Sequence, residues 1–170
     1  MIGHEGVKRE EMMQNQAQQS EDAIKARQNL MAVLAGATTT EIRQGLASLA
    51  DLPQPSELRR PETGLVMLRG RIAGQGARFN FGEATVTRAS VRLPSGEVGA
   101  SYILGRDAER ARLAALVDAL WQRPDYRAAV EAYILAPSCA RQNAERRAKA
   151  ERTAATKVDF FTLVRGEDNP

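Results

Sequence analysis

Cysteine and histidine are almost missing from this 170-residue chain, with one of each. One thiol, Cys139, forms no intrachain disulfide. A zinc site needs several thiolate or imidazole ligands and a Cys–His nucleophile needs an ordered base, so both are disfavoured. His4 reads as a solvated residue and Cys139 as an inert, partly buried one. Nowhere does an apolar run approach the ~20 residues that cross a bilayer. The opening MIGHEGVKREEMMQNQAQQ also lacks the apolar core of a secretion signal. Residues 1–19 are therefore expected to be a flexible polar extension, and the location to be cytoplasmic. Lys and Arg total 24 against 21 Asp and Glu, a net charge of +3. Long-range attraction to nucleic acid is correspondingly modest. Gly82 and Gly105 belong to neither a Walker A loop nor a dinucleotide fingerprint.

What is present fits one domain over residues 20–170, since two independent cores would both be small. A helical pattern begins near Ser20, with Leu30 and Leu34 four apart and Met31 and Val33 beside them. Thr38 and Glu41 form a capping box opening a second helix through Ile42, Leu46 and Leu49, which stops before Pro53. The pair reads as a helical hairpin. Three prolines between Asp51 and Pro61 mark a connector with a short edge strand near Glu57–Arg60.

Leu65–Ala73 and Arg78–Leu93 read as strands joined across Gly74 and Gly76. In the second, Ala84 and Val86 share one face and Val91 and Leu93 the other. That switch predicts a bulge near Thr87–Ser90 or a strand meeting two layers. Pro94–Gly96 supplies a tight turn, and Val98, Ala100, Tyr102 and Leu104 form the series expected to be buried in a third strand. Asp107 caps a helix whose apolar face is Leu113, Leu116, Val117, Leu120 and Trp121. Pro124 opens another, packed through Tyr126, Val130 and Tyr133, until Pro137 breaks it. Ser138 then caps a last, exposed helix supported by a Glu145–Lys149 pair. The expected class is α+β: an N-terminal helical hairpin, an antiparallel sheet of three or four strands, and covering C-terminal helices.

The chemically usable groups are few. Arg88 and Arg92 share a strand face, Arg78 lies upstream and Arg106 adjoins a helix start. Arg88, Arg92 and Arg106 are the candidates for holding phosphate, against the alternative of a solvated sheet face. Glu83, Asp107 and Asp118 could act as acids, bases or Mg²⁺ ligands, but a helix cap, an ion pair across the sheet and an exposed helix position account for them more simply. Arg141, Arg146, Arg147, Lys149 and Arg152 make a basic helix face interrupted by Glu145 and Glu151, a solvated surface rather than a base reader. In VDFFTLVRG, adjacent Phe160 and Phe161 point to opposite sides of an extended segment and Arg165 suits an acidic partner, so with Phe79 they are interface candidates.

Several long motifs occur in one order: Glu62–Val66, GEATVTRASVRL at Gly82–Leu93, Gly105–Asp107, ALVDAL at Ala115–Leu120, and VDFFTLVRG at Val158–Gly166. Through them the chain, from about Gln28 to Asp168, resembles the PhnG family, the small G subunit of the bacterial carbon–phosphorus lyase core complex. The resemblance implies phosphonate degradation in a cytoplasmic assembly with H, I and J subunits. The assembly uses ATP as substrate to attach methylphosphonate to ribose C1, displacing adenine and giving ribose 1-methylphosphonate 5-triphosphate. It further implies that nucleosidase chemistry belongs to the I subunit and iron–sulfur radical chemistry to the J subunit. The G subunit is then an accessory component with no catalytic residue and no cofactor or metal of its own.

Overall fold

The computed structural model describes residues 3–72 and 75–156. Its elements in chain order are α1 (Gly3–Gly36), α2 (Thr39–Ala47), β1 (Ser56–Arg71), β2 (Arg78–Arg92), β3 (Val98–Leu104) and α3 (Ala108–Trp121). There follow α4 (Pro124–Val130), a π-helical turn (Glu131–Leu135) and α5 (Ala136–Ala155). The class is α+β, with N-terminal helices, one antiparallel sheet of order β1-β2-β3 and C-terminal helices.

Helix α1 begins at Gly3 rather than near Ser20. Proline is absent from it, and Glu, Gln, Met and Lys lose little rotamer freedom in a helix, so the backbone runs on without apolar periodicity. Residues 15–26 are all exposed, and burial starts with the half-covered Arg27 and the core residue Leu30. At the joint into α2 the expected capping box is present: Glu41 N donates to Thr38 Oγ1 (3.2 Å) and Thr38 N to Glu41 Oε2 (2.7 Å).

The two strand segments expected on either side of Pro61 are one edge strand, β1. An edge tolerates a missing N–H, and irregularities between Glu57 and Arg59 and between Arg59 and Glu62 absorb the proline. The irregularity expected on β2 near Thr87–Ser90 thus lies across from it, on β1. Strand β2 keeps an unbroken register with β3 from Val86↔Leu104 to Arg92↔Val98. Thr87, Ala89 and Val91 face the core while Val86 is buried on the other side, which explains the change of apolar phase.

In β3 the expected series is reversed. Gly99, Ser101 and Ile103 are buried, whereas Val98, Tyr102 and Leu104 are 37, 55 and 68% exposed. The reason is close approach by α3: a Cβ on Gly99 would lie 1.9 Å from the Ala115 carbonyl oxygen and 2.6 Å from Ala119 N. Only a glycine fits, and it sets the inward phase of the strand. Accordingly α3 turns Ala111, Ala114, Ala115 and Ala119 inward together with Val117 and Leu120, leaving Leu113 and Leu116 half-buried. The turn before β3 is as expected, with Gly96 at φ +110° and Gly96 N donating to Leu93 O at 2.9 Å.

Pro137 does not end the helix. The π-helical turn before it widens the ring spacing where the proline lacks an N–H, and the chain continues into α5 with proline in its first turn. The extra residue also rotates the packing face, so Ile134 is buried and Tyr133 is 53% exposed. Ser138, expected as a cap, is wholly buried and its hydroxyl has no hydrogen-bond partner among the described residues. Glu145 pairs with Arg141 (2.9 Å) rather than providing the expected Lys149 contact. Arg141 also grips Glu41 (2.6 Å) and Gly36 O (2.8 Å), fastening α5 to the α1–α2 joint.

Candidate protein-docking surface

Among the described residues, the sheet is covered by α3 on one face and largely bare on the other. Leu104, Tyr102 and Val98 of β3 lie on the bare face, opposite Val86, Arg88 and Arg92 of β2. Strand β2 pairs with β1 along its whole length but with β3 only from Val86 to Arg92. The remainder, Arg78–Thr85 with Leu65–Arg71 of β1, is a two-stranded arm reaching past the core.

Cross-strand partners share a face, so Val66 and Leu68 lie with Gly70 and its partner Phe79. A register shift between Leu68 and Arg69 makes Phe81 the extra residue on β2. Its ring lies over Gly70, 3.1 Å from where a Cβ would be, with its centroid 6.2 Å from that of Phe79. Phe79 and Phe81 are 43 and 58% exposed. On the arm's opposite face Leu65 and Met67 are 64 and 52% exposed. Exposed apolar area concentrated this way marks an interaction surface.

The two edges of the sheet differ. Along β3 side chains take up three of the outward backbone groups, at Val98, Ala100 and Leu104. Asp118 Oδ2 accepts from Ala100 N (2.8 Å), Arg27 and Gln122 donate to Val98 O (3.1 and 2.9 Å), and Arg110 donates to Leu104 O (3.0 Å). Asp118, expected to be an exposed helix residue, is fully buried and receives Arg27 Nε and Nη2 at 2.9 and 2.7 Å. It is an anchor joining α1, α3 and β3. Among the described residues, no other element makes a backbone hydrogen bond to the outer edge of β1.

The phosphate candidates are dispersed. Arg88 donates to Glu62 Oε1 at 2.7 Å, and the same oxygen receives Arg59 Nη1 at 2.8 Å. The nearby Tyr102 hydroxyl and Glu62 raise the Arg88 pKa, favouring its charged form. Arg92 lies at the far end of β2, opposite Val98, while Arg106 follows Leu104, ~20 Å away along β3 at 3.3 Å per residue. Arg59, which the sequence reading did not single out, is therefore the arginine that shares the Arg88 surface. Its irregular stretch of β1 gave no sequence signal. All of these arginines are exposed except the half-buried Arg88.

The carboxylates do not converge either. Glu83 is on the arm opposite Met67. Asp107 caps α3, accepting from Arg110 N (2.9 Å) and Thr39 Oγ1 (3.0 Å), and those contacts, with the Arg110 charge, lower its pKa. Asp118 lies three turns further along α3. Among the described residues no three His, Cys, Asp or Glu side chains are grouped to hold a metal, and no helix is long and apolar enough to cross a membrane. Of the interface candidates Phe79 is on the arm, whereas Phe160, Phe161 and Arg165 lie outside the described residues.

The family model described as phosphonate metabolism protein PhnG matches residues 25–166. The chain belongs to the PhnG family. A curated relative from Rhizobium meliloti (strain 1021) is named alpha-D-ribose 1-methylphosphonate 5-triphosphate synthase subunit PhnG. It is 53% identical over 157 residues, which cover 92% of this chain and 100% of the relative. Those aligned residues span the sheet, its bare face and α3, so the PhnG family and the surface described above coincide in the chain.

Proposed function

We propose that this chain is an accessory subunit of ribose 1-methylphosphonate 5-triphosphate synthase, acting in cytoplasmic phosphonate degradation with H, I and J subunits. The observation that carries the reading is the 53% identity to a subunit of that synthase over 92% of the chain. The bare sheet face and the arm support it, because they offer apolar area for association where the other face supplies the core. The assembled complex consumes ATP and methylphosphonate and releases adenine, and this chain holds or shapes the assembly. Reconstitution tests it: the H, I and J subunits with this chain are expected to release adenine, and without it to lose most turnover. Full turnover without the chain refutes the reading.

A second reading is favoured by one arrangement, the Arg59–Glu62–Arg88 cluster beside Tyr102. A substrate phosphate entering there would replace the Glu62 carboxylate as the acceptor for both guanidinium groups. Arg88→Ala and Arg59→Ala are then expected to assemble normally and lose turnover, with Arg92→Ala and Arg106→Ala, which lie away from the cluster, as parent-like controls. Normal turnover in both cluster variants removes this reading.

A further inference from the structure

We propose that the β1–β2 arm is gripped by another protein subunit whose docking surface has an apolar centre and an acidic rim. The inference rests on the accessory-subunit reading and adds which part of the chain is held and by what chemistry.

Three observations converge on the arm. First, three outward backbone groups of β3, Val98 O, Ala100 N and Leu104 O, are capped by Arg27, Gln122, Asp118 and Arg110, whereas no outward backbone group of β1 beyond Pro61 is capped among the described residues. An unsealed edge is a template for another chain. Second, the arm is apolar on both faces, with Phe79 and Phe81 on one and Leu65 and Met67 on the other. A two-stranded ribbon is marginal in water by itself, and burial of both faces is what would hold it. Third, the arm carries Arg69, Arg71 and Arg78 against one carboxylate, Glu83, and no ion pair engages these arginines among the described residues. Among the described residues Arg71 is tied only to the Gly76 carbonyl (3.1 Å), a neutral acceptor that does not compensate its charge. Docking two copies arm to arm would bring like charges together. An acidic partner of different sequence removes that repulsion and supplies acceptors for the guanidinium groups.

The test uses the full chain and the purified remaining subunits of the synthase, with affinity read by calorimetric titration over a range of salt. Phe79→Ala/Phe81→Ala is expected to weaken association about 30-fold or more, the scale of truncated aromatic hot spots. Arg69→Glu/Arg78→Glu is expected to weaken it and to flatten or invert the salt dependence. Because both arginines are exposed, this second pair keeps the test decisive if the aromatic pair fails to fold. An α5 control, Arg147→Glu/Arg152→Glu, should bind as the parent does. Parent-like affinity in both arm variants overturns the inference alone, as does an equal loss in the control. A parent dimer that the arm variants convert to monomer assigns the arm to a second copy and overturns it. Arm-dependent binding of a single-stranded RNA oligomer, with subunit affinity intact, does the same. A parent chain with no affinity for the other subunits overturns the accessory-subunit reading and this inference with it.

Discussion

Arg27 and Asp118 should differ sharply in what their removal costs, although they are two ends of one contact. The Asp118 side chain is 0% exposed and that of Arg27 is 38% exposed. Removing Asp118 releases a guanidinium that can rehydrate and leaves Ala100 N, at a sheet edge, without its acceptor. Breaking a buried pair costs ~3–5 kcal/mol, and recovered hydration of Arg27 brings Asp118→Ala to about 2–3 kcal/mol. Removing Arg27 instead strands a carboxylate that cannot reach water, held only by the Ala100 N–H. Arg27→Met should therefore cost more, about 3–5 kcal/mol. Asp118→Asn retains one acceptor and should fall below both, at about 1–2 kcal/mol. Equilibrium urea unfolding read by Trp121, which is 7% exposed, measures all three at once. The order Arg27→Met, Asp118→Ala, Asp118→Asn is the prediction. An Asp118→Ala cost above that of Arg27→Met, or costs below about 0.5 kcal/mol for both, would refute the desolvation argument.

Other expectations follow from single contacts. Gly99→Ala places a methyl 1.9 Å from the Ala115 carbonyl oxygen, so α3 must lift from β3; a loss of about 2 kcal/mol is expected in the same unfolding assay. Ser138→Ala removes a buried hydroxyl without a partner among the described residues and should be neutral or stabilising by up to ~1 kcal/mol, seen as an unchanged or raised melting temperature. Arg141, with the Thr38 cap, lowers the Glu41 pKa from 4.5 to about 2. A depressed carboxyl stabilises the fold above its unfolded pKa and loses that contribution as pH falls from 4.5 through about 2. Linkage allows at most ~3 kcal/mol, and solvent screening at this surface pair reduces it to about 1–2 kcal/mol. Urea unfolding of Glu41→Gln against the parent at pH 7 and pH 2 should show that difference shrinking at the lower pH.

Elements set by short-range chemistry were legible in the sequence. The Thr38–Glu41 box, the Asp107 cap, the Gly96 turn and the proline opening α4 each depend on a side chain meeting backbone within a few residues. Boundaries were less legible. Pro61 looked like a break because a proline in an interior strand would be one, yet β1 is an edge, and edge position is a property of the whole sheet. Pro137 looked like a stop because the π-helical turn that accommodates it has no distinctive residue pattern.

For the docking surface, the sequence determined the material: strands carrying Phe79, Phe81, Tyr102 and Leu104, and arginines spaced along them. It also determined the family, because long motifs kept in one order do not depend on how the chain packs. Only the tertiary structure decided which face those residues occupy. The inward phase of β3 follows from α3 pressing its backbone onto Gly99, and alternation alone is compatible with either phase. Likewise, the burial of Asp118 and the pairing of Arg59 with Arg88 around Glu62 need residues far apart in the chain to meet. Local preference fixes backbone conformation over a few residues. Which side is buried is settled by non-local surfaces competing for the same core.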